Sequence, residues 1–273
     1  MVSLLDWLEY TNYHFEDNLL CFCDHCKIKA AELGFDFNYM RQAAVSALER
    51  VKNASIDDIT PAGGWNLAWE RISPNIAVLF DFKAKSVESY IKSLRERLEK
   101  HGFGDTPLYI SGFAPPMNKG TGMDYGFVTG LSNNVMSAGK LYRFHWALMV
   151  GWYAEYLSQI NKKIAANDWI PFVLDMLELK EETIHGVEHY RMPRPGEVGP
   201  LEIENEKYKL EKMLELASVE DRVIPLVHAY CPKGLFRRRI AEALNSDAGG
   251  MIIQRYGYAS DEKLAELGDL LGS

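Results

Sequence analysis

The chain has 273 residues, of which 47% are hydrophobic and 12% aromatic, so it can bury a sizeable core as one large domain or two small ones. Its formal net charge of −8 argues against a nucleic-acid-binding protein, because such proteins normally present a basic surface to the phosphates. No apolar stretch approaches the length of a membrane span and the N-terminus lacks a signal-peptide pattern, which predicts a cytoplasmic protein with no membrane partner.

Short apolar segments alternate with longer helical segments along the chain. Strands are predicted at residues 4–10, 108–110, 140–146, 223–230 and 251–256. Because helical segments separate these strands, they should form one parallel sheet in chain order, with helices on the outside. The predicted fold class is therefore α/β.

The sequence also predicts a long helix with a cap and two charged helix faces. Residues 28–51 are predicted to be helical, and Asp36 or Asn38 could cap the second half of this segment. Two charged stretches, residues 202–206 and residues 237–239, are interpreted as solvent-exposed helix faces.

Three of the four cysteines, Cys21, Cys23 and Cys26, lie within six residues in a C-x-C-x-x-C pattern. Four cysteines are too few for a disulfide scaffold in a chain of this length, and their clustering indicates a metal or redox role. Three thiolates at this spacing can converge on one tetrahedral Zn²⁺, which would place the sulfurs within roughly 4 Å of one another. Structural zinc, unligated thiols and a redox pair are the three interpretations that the pattern leaves open.

A fourth zinc ligand is not evident from the sequence. Cys231 lies at the end of a different predicted strand, and Asp24 or His25 could coordinate only with an awkward local geometry. Zinc is therefore expected to bind at less than full occupancy.

Polar and aromatic residues at predicted strand ends are candidates for a catalytic site. Glu9 ends the first predicted strand, where barrel enzymes keep catalytic groups, although a structural ion pair with an arginine fits the same position. Asp124 follows a glycine-rich loop and fits either a second carboxylate or a helix cap. Histidines at strand ends could carry protons, and aromatic rings could stack on sugars, but both are also common core residues. The candidates for substrate binding are Arg143, His145, Trp146, His228, Tyr230 and Arg255.

The segment around Glu9 and the cysteine turn resemble a known family. Leu8-Glu9-Tyr10, followed by the C-x-C-x-x-C turn, resembles uncharacterised glycoside-hydrolase-like TIM-barrel proteins, in which an acidic residue ends the fourth barrel strand. The cysteine turn is also similar to the zinc cluster of trimeric β-galactosidases. The later segments that match the uncharacterised group are residues 123–125, 140–142, 145–146 and 255–258.

The resemblance implies that residues 1–273 form a single domain, corresponding to roughly the C-terminal five βα units of a (β/α)₈ barrel without its N-terminal strands. It further implies a glycoside hydrolase acting on a carbohydrate, with Glu9 as proton donor and Asp124 as second carboxylate. Two departures are visible: Leu8 replaces the Asn that precedes the acid/base Glu in β-galactosidases, and His228 and Tyr230 lie where those enzymes keep a nucleophilic Glu. The alternative is a catalytically silent carbohydrate-binding or structural barrel segment.

An incomplete barrel has two open sheet edges, which recruit other chains. We therefore expect the isolated chain to self-associate in size-exclusion chromatography and to hydrolyse chromogenic glycosides weakly, since one wall of the site is missing. A monomeric protein that hydrolyses these substrates, and loses that activity in Glu9→Gln, would contradict the prediction of an incomplete barrel. It would support the role of Glu9 as proton donor.

Overall fold

Helices dominate the part of the chain that the computed structural model describes, namely residues 3–5, 14–19, 21–131, 135–140, 143–194 and 196–272. The strands are β1 Ser3–Leu5, β2 Leu108–Phe113, β3 Val135–Lys140, β4 Val223–His228 and β5 Ile252–Gln254. The α-helices are α1 Asp24–Leu33, α2 Phe37–Asn53, α3 Trp65–Ile72, α4 Ala77–Lys100, α5 Met117–Thr121, α6 Tyr125–Leu131, α7 Arg143–Ile160, α8 Ala166–Met176, α9 Glu204–Leu216, α10 Lys233–Leu244 and α11 Asp261–Gly272. Short 3-10 helices lie at Phe15–Leu19, Asp57–Ile59, Val187–His189, Glu220–Arg222 and Tyr256–Tyr258.

The five strands form one parallel sheet in the order β1-β2-β3-β4-β5. The register places Leu4 opposite Tyr109, Ile110 opposite Ser137 and Val227 opposite Ile253. Every residue of β4 is buried, as expected for a strand covered on both faces.

The prediction of a partial (β/α)₈ barrel is wrong, and the chain is mostly helical around a small open sheet. The strands are only three to six residues long, and among the described residues β1 pairs only with β2 and β5 only with β4. The helices also depart from the barrel pattern of one crossover helix per strand. In the described ranges, four α-helices precede β2 and three lie between β3 and β4. The helix α8 packs against α7 and α3. Helix-on-helix packing therefore replaces much of the expected helix-on-sheet packing.

The third strand lies before the predicted segment. Residues 143–146 begin α7, whereas β3 ends at Lys140. Aromatic residues at alternate positions 142, 144 and 146 are compatible with a strand, but burial of Trp146, Val150, Tyr153 and Leu157 follows the 3.6-residue period of a helix. Although α7 is rich in apolar residues, none of the helices in the described ranges is both long and apolar enough to cross a bilayer.

The helical prediction for residues 28–51 is correct except for an interruption. Gly34 ends α1 in the left-handed conformation with φ of 77°, and its N–H reaches back to the carbonyls of the last turn. Asp36 then caps α2, since its carboxylate accepts hydrogen bonds from the backbone N–H groups of Asn38 at 2.9 Å and Tyr39 at 3.0 Å.

An aromatic cluster joins the N-terminal segment to the helical core. Phe15 stacks on Trp69 with ring centroids 5.1 Å apart and meets Tyr153 edge-on at 5.6 Å. A smaller cluster lies between β4, β5, α10 and α11, around Phe236 and Ile240.

The two charged stretches are only partly exposed, contrary to the sequence prediction. Arg239 is buried and donates to the carboxylate of Glu206 through Nε at 2.8 Å and through a second guanidinium nitrogen. It also donates to the carbonyl of His228 at 3.1 Å. Arg237 and Arg238, in contrast, form ion pairs on the surface. A buried bidentate pair thus attaches α10 to α9 and β4.

We expect Glu206→Gln to lower the free energy of unfolding by about 3–5 kcal/mol, because it leaves the Arg239 charge buried and uncompensated. The matched control is Glu204→Gln, whose partner Arg238 is exposed, and which should cost less than about 1 kcal/mol. Urea unfolding followed by circular dichroism measures both. Equal small losses would show that the pair is not needed for stability.

Candidate metal centre

The three clustered cysteines come together at the start of α1. The sulfur atoms of Cys21, Cys23 and Cys26 all lie within 4.8 Å of one another. Among the described residues, no other group of three or more His, Cys, Asp or Glu side chains brings its ligand atoms so close. The three sulfurs therefore converge as the sequence predicts, within 4.8 Å rather than the expected value of roughly 4 Å, and the group could hold a metal ion.

Local structure explains the convergence. Cys23 has an extended backbone and forms the N-cap of α1, so that Cys26 lies one turn further on, in the first turn of the helix. Phe22, between the first two cysteines, packs edge-on against Phe37 of α2 with ring centroids 5.7 Å apart. The loop is thereby fixed to the helical core while the Cys23 side chain stays exposed.

The thiols differ in their acidity. The backbone N–H of Cys26 and the neighbouring thiols lower the pKa of Cys23, as expected at a helix N-terminus. Burial, followed by the interactions with Cys23 and Cys21, raises the pKa of Cys26 to about 12. The thiol of Cys26 therefore stays protonated at neutral pH unless a positive charge stabilises its thiolate, and a divalent cation supplies such a charge.

None of the candidate fourth ligands from the sequence belongs to this group. Cys231 is 3% exposed, and its thiol donates to the carbonyl of His228 at 3.5 Å, within the smaller core cluster. Asp24 and His25 are both exposed and neither is a member of the thiol group. The protein therefore supplies three ligand atoms among its described residues.

A buried lysine that the sequence pattern did not identify contacts the backbone that precedes this centre. Lys83 of α4 is completely buried, and its Nζ donates to the carbonyls of Asp17, Asn18 and Gly120 at 2.9, 3.0 and 3.1 Å. Burial lowers the pKa of Lys83 to about 7, while Asp17 and the thiols of Cys21 and Cys26 oppose that shift. Its position on the apolar stripe of α4, one residue after Phe82 and three before Ser86, is the signal that could have identified it.

The predicted substrate-binding residues at the ends of β4 and β5 form a second group. His228 is buried, and its Nδ1 accepts a hydrogen bond from the backbone N–H of Tyr230 at 3.0 Å. Burial, followed by the charges of Arg239, Arg255 and His145, lowers the pKa of His228 to about 3. His228 is therefore neutral at physiological pH and is unsuited to carrying a proton in that range.

Tyr230 is held in a structural arrangement. Its hydroxyl donates to the carbonyl of Pro193 at 2.9 Å, and its ring meets Tyr258 edge-on at 4.8 Å. Arg255 is exposed directly after β5, with a left-handed φ of 64°. The structure thus brings His145, His228, Tyr230 and Arg255 into one region at the carboxyl ends of the strands.

Two further candidates from the third predicted strand lie in α7 instead. Arg143 is the first residue of that helix. Trp146 is 3% exposed, and the Nζ of the buried Lys209 lies 4.8 Å from its ring centroid. Lys209 also donates to the carbonyls of Leu177 and Glu178 at 2.7 and 3.1 Å. Trp146 is therefore part of the core rather than an accessible sugar-stacking surface.

The two predicted catalytic carboxylates are not brought together by the described residues. Glu9 lies outside the described part of the chain. Asp124 is exposed, and its Oδ1 accepts a hydrogen bond from the backbone N–H of Phe127 at 2.9 Å, which caps α6. The helix-cap interpretation of Asp124 is thus supported, whereas a catalytic role stays a prediction.

In the metal-free protein at pH 7, we expect iodoacetamide to modify Cys23 several-fold faster than Cys26, because Cys23 is exposed and its lowered pKa gives more thiolate. Its reaction should also reach half its maximal rate at a lower pH than that of an ordinary thiol. Mass spectrometry of timed samples measures the rates. The control variant Cys231→Ser should keep the fast phase of modification, which we assign to Cys23. If Cys231→Ser loses that phase and Cys23→Ser keeps it, Cys23 is not the reactive thiol.

Comparisons with protein-family models, with curated proteins and with solved structures found no match for this chain. The resemblance to glycoside-hydrolase-like proteins therefore stays a prediction from short motifs. The cysteine centre is the feature of the described chain from which a function can be inferred by geometry.

Proposed function

We propose that this chain is a zinc-binding protein in which Cys21, Cys23 and Cys26 are thiolate ligands. The convergence of their three sulfurs within 4.8 Å carries the proposal. Thiolates are soft ligands that select zinc over the hard cations Mg²⁺ and Ca²⁺. With three protein ligands, the tetrahedral ion keeps one position for water or another external ligand.

A structural role fits this location best. The ligands span the last residues of a loop and the first turn of α1, which packs against α2 and α4. The helix α1 has only Ala30 fully buried, so its apolar contacts alone fix it weakly. An ion that ties Cys21 to Cys26 would hold the loop and the helix together, as small zinc sites commonly do.

The redox interpretation has less support than zinc. A redox pair needs two thiols, whereas here a third sulfur joins the group at a similar distance. Hydrolysis of a glycosidic bond is not part of the proposal, because it requires two carboxylates at a defined separation and Asp124 is engaged in capping α6.

The proposal predicts that the purified protein contains zinc at less than one equivalent, because an incomplete ligand set retains the ion weakly, and that excess Zn²⁺ restores one equivalent. The variant with Cys21, Cys23 and Cys26 all changed to Ser should contain none, while Cys231→Ser should match the wild type. Inductively coupled plasma mass spectrometry after dialysis measures the content.

Zinc should also stabilise the folded chain, by about 2.7 kcal/mol when free Zn²⁺ is at 100 times its Kd, because a ligand that binds only the folded state stabilises it. Thermal unfolding with added Zn²⁺ or with a chelator measures this shift. Equal zinc content or an equal thermal shift in the triple serine variant would overturn the proposal.

A further inference from the structure

Lys83 connects the interior of the protein to the segment that leads into the cysteine centre. Its three hydrogen bonds reach Asp17 and Asn18, in the 3-10 helix Phe15–Leu19, and Gly120 of α5. Asp17 and Asn18 precede Cys21 by only four and three residues. Lys83 therefore holds backbone three and four residues before Cys21.

The surroundings of Lys83 are closely packed. A Cβ atom at Gly122, where φ is +82°, would lie 2.6 Å from the backbone carbonyl carbon and oxygen of Lys83. A Cβ atom at Gly120 would collide with the side chain of Asn18. Asn18 is itself held by hydrogen bonds from its side-chain amide to the carbonyl of Phe15 at 3.1 Å and to the hydroxyl of Tyr153 at 2.8 Å. The carbonyls around Nζ thus belong to a rigid arrangement.

The charge of Lys83 complements that of a loaded centre. Zn²⁺ with three thiolates has a net charge of −1. Cys21 and Cys26 raise the pKa of Lys83 against the larger effect of burial, so negative charge on these thiols favours the protonated lysine. A buried positive charge beside an anionic cluster is screened little by salt.

We propose that Lys83 is a positioning residue of the metal centre, which holds the backbone before Cys21 and offsets the negative charge of the zinc-bound thiolates. This inference rests on the proposed zinc binding. Replacing groups that orient metal ligands without binding the metal commonly weakens metal affinity.

The test is the zinc affinity of Lys83→Met, a variant of similar length without charge or donors. We expect its zinc Kd to rise about tenfold or more, in line with other supporting residues. The matched control is Lys209→Met. Lys209 is equally buried and donates to two carbonyls, but the groups that shift its pKa are burial and Glu178, and no cysteine is among them. Its zinc Kd should stay within about twofold of the wild type, a difference well under 1 kcal/mol.

Competition with a chromophoric chelator gives each Kd, and circular dichroism establishes that each variant is folded. Cobalt substitution supplies a second readout, because the sulfur-to-cobalt charge-transfer band reports how many thiolates bind. Where Lys83→Met does not fold, Lys83→Gln, which keeps an amide donor but no charge, takes its place with the same expected direction.

The outcomes separate the two proposals. If the wild type and the triple serine variant bind zinc equally, the proposed function fails. If the wild type binds zinc through the cysteines but both lysine variants retain its Kd and its cobalt spectrum, zinc binding stands and the role of Lys83 is overturned. Equal weakening in both lysine variants also overturns it, since that result indicates general destabilisation.

Discussion

Burial of positive charge is the constraint on which much of this structure depends. Lys83, Lys209 and Arg239 are each more than nine-tenths buried, and an uncompensated charge in the interior would cost several kcal/mol. Each is therefore surrounded by carbonyl oxygens or a carboxylate from distant parts of the chain. Lys83 joins α4 to the N-terminal 3-10 helix and to α5, Lys209 joins α9 to the end of α8, and Arg239 joins α10 to α9 and β4. Because each charge must keep its partners, these elements cannot move independently.

In our proposal, the cysteine centre depends on the first of these connections. Its cysteines lie in a loop and in the first turn of α1, and the amino group of Lys83 holds backbone that precedes this loop. Coupling between two sites is reciprocal. If Lys83 raises the affinity for zinc, bound zinc must therefore stabilise the contacts of Lys83 to the same extent. The proposed site would then influence packing between helices that contain none of its ligands.

The sequence predicted local features better than their assembly. The order and parallel direction of the five strands follow from the alternation of apolar and helical segments, and the sheet has that order. The barrel prediction was wrong because the alternation of strands and helices does not reveal what each helix packs against. The helices α7 and α8 pack on one another, and α8 also packs on α3. Along the chain, the strands are therefore separated by more helices than a barrel needs. The third strand was misplaced since aromatic residues at alternate positions also fit a helix buried on most sides, and β3 itself, with Ser137, Ala138 and Gly139, has a weak strand signal.

The sequence by itself predicted elements that depend mainly on near neighbours: a cap at Asp36 or Asn38, of which Asp36 is the one used, a strand that includes β4, and a C-x-C-x-x-C turn whose three sulfurs converge. Spacing is informative for the cap and the turn because residues one helical turn apart lie close together once the helix forms. Only the tertiary structure decided which charges are buried. Arg238 and Arg239 are adjacent, yet one is exposed and the other interior, because α9 presents Glu206 to only one of them. A charged side chain can be buried when a residue distant in sequence supplies its partner. Local sequence patterns do not predict such partners.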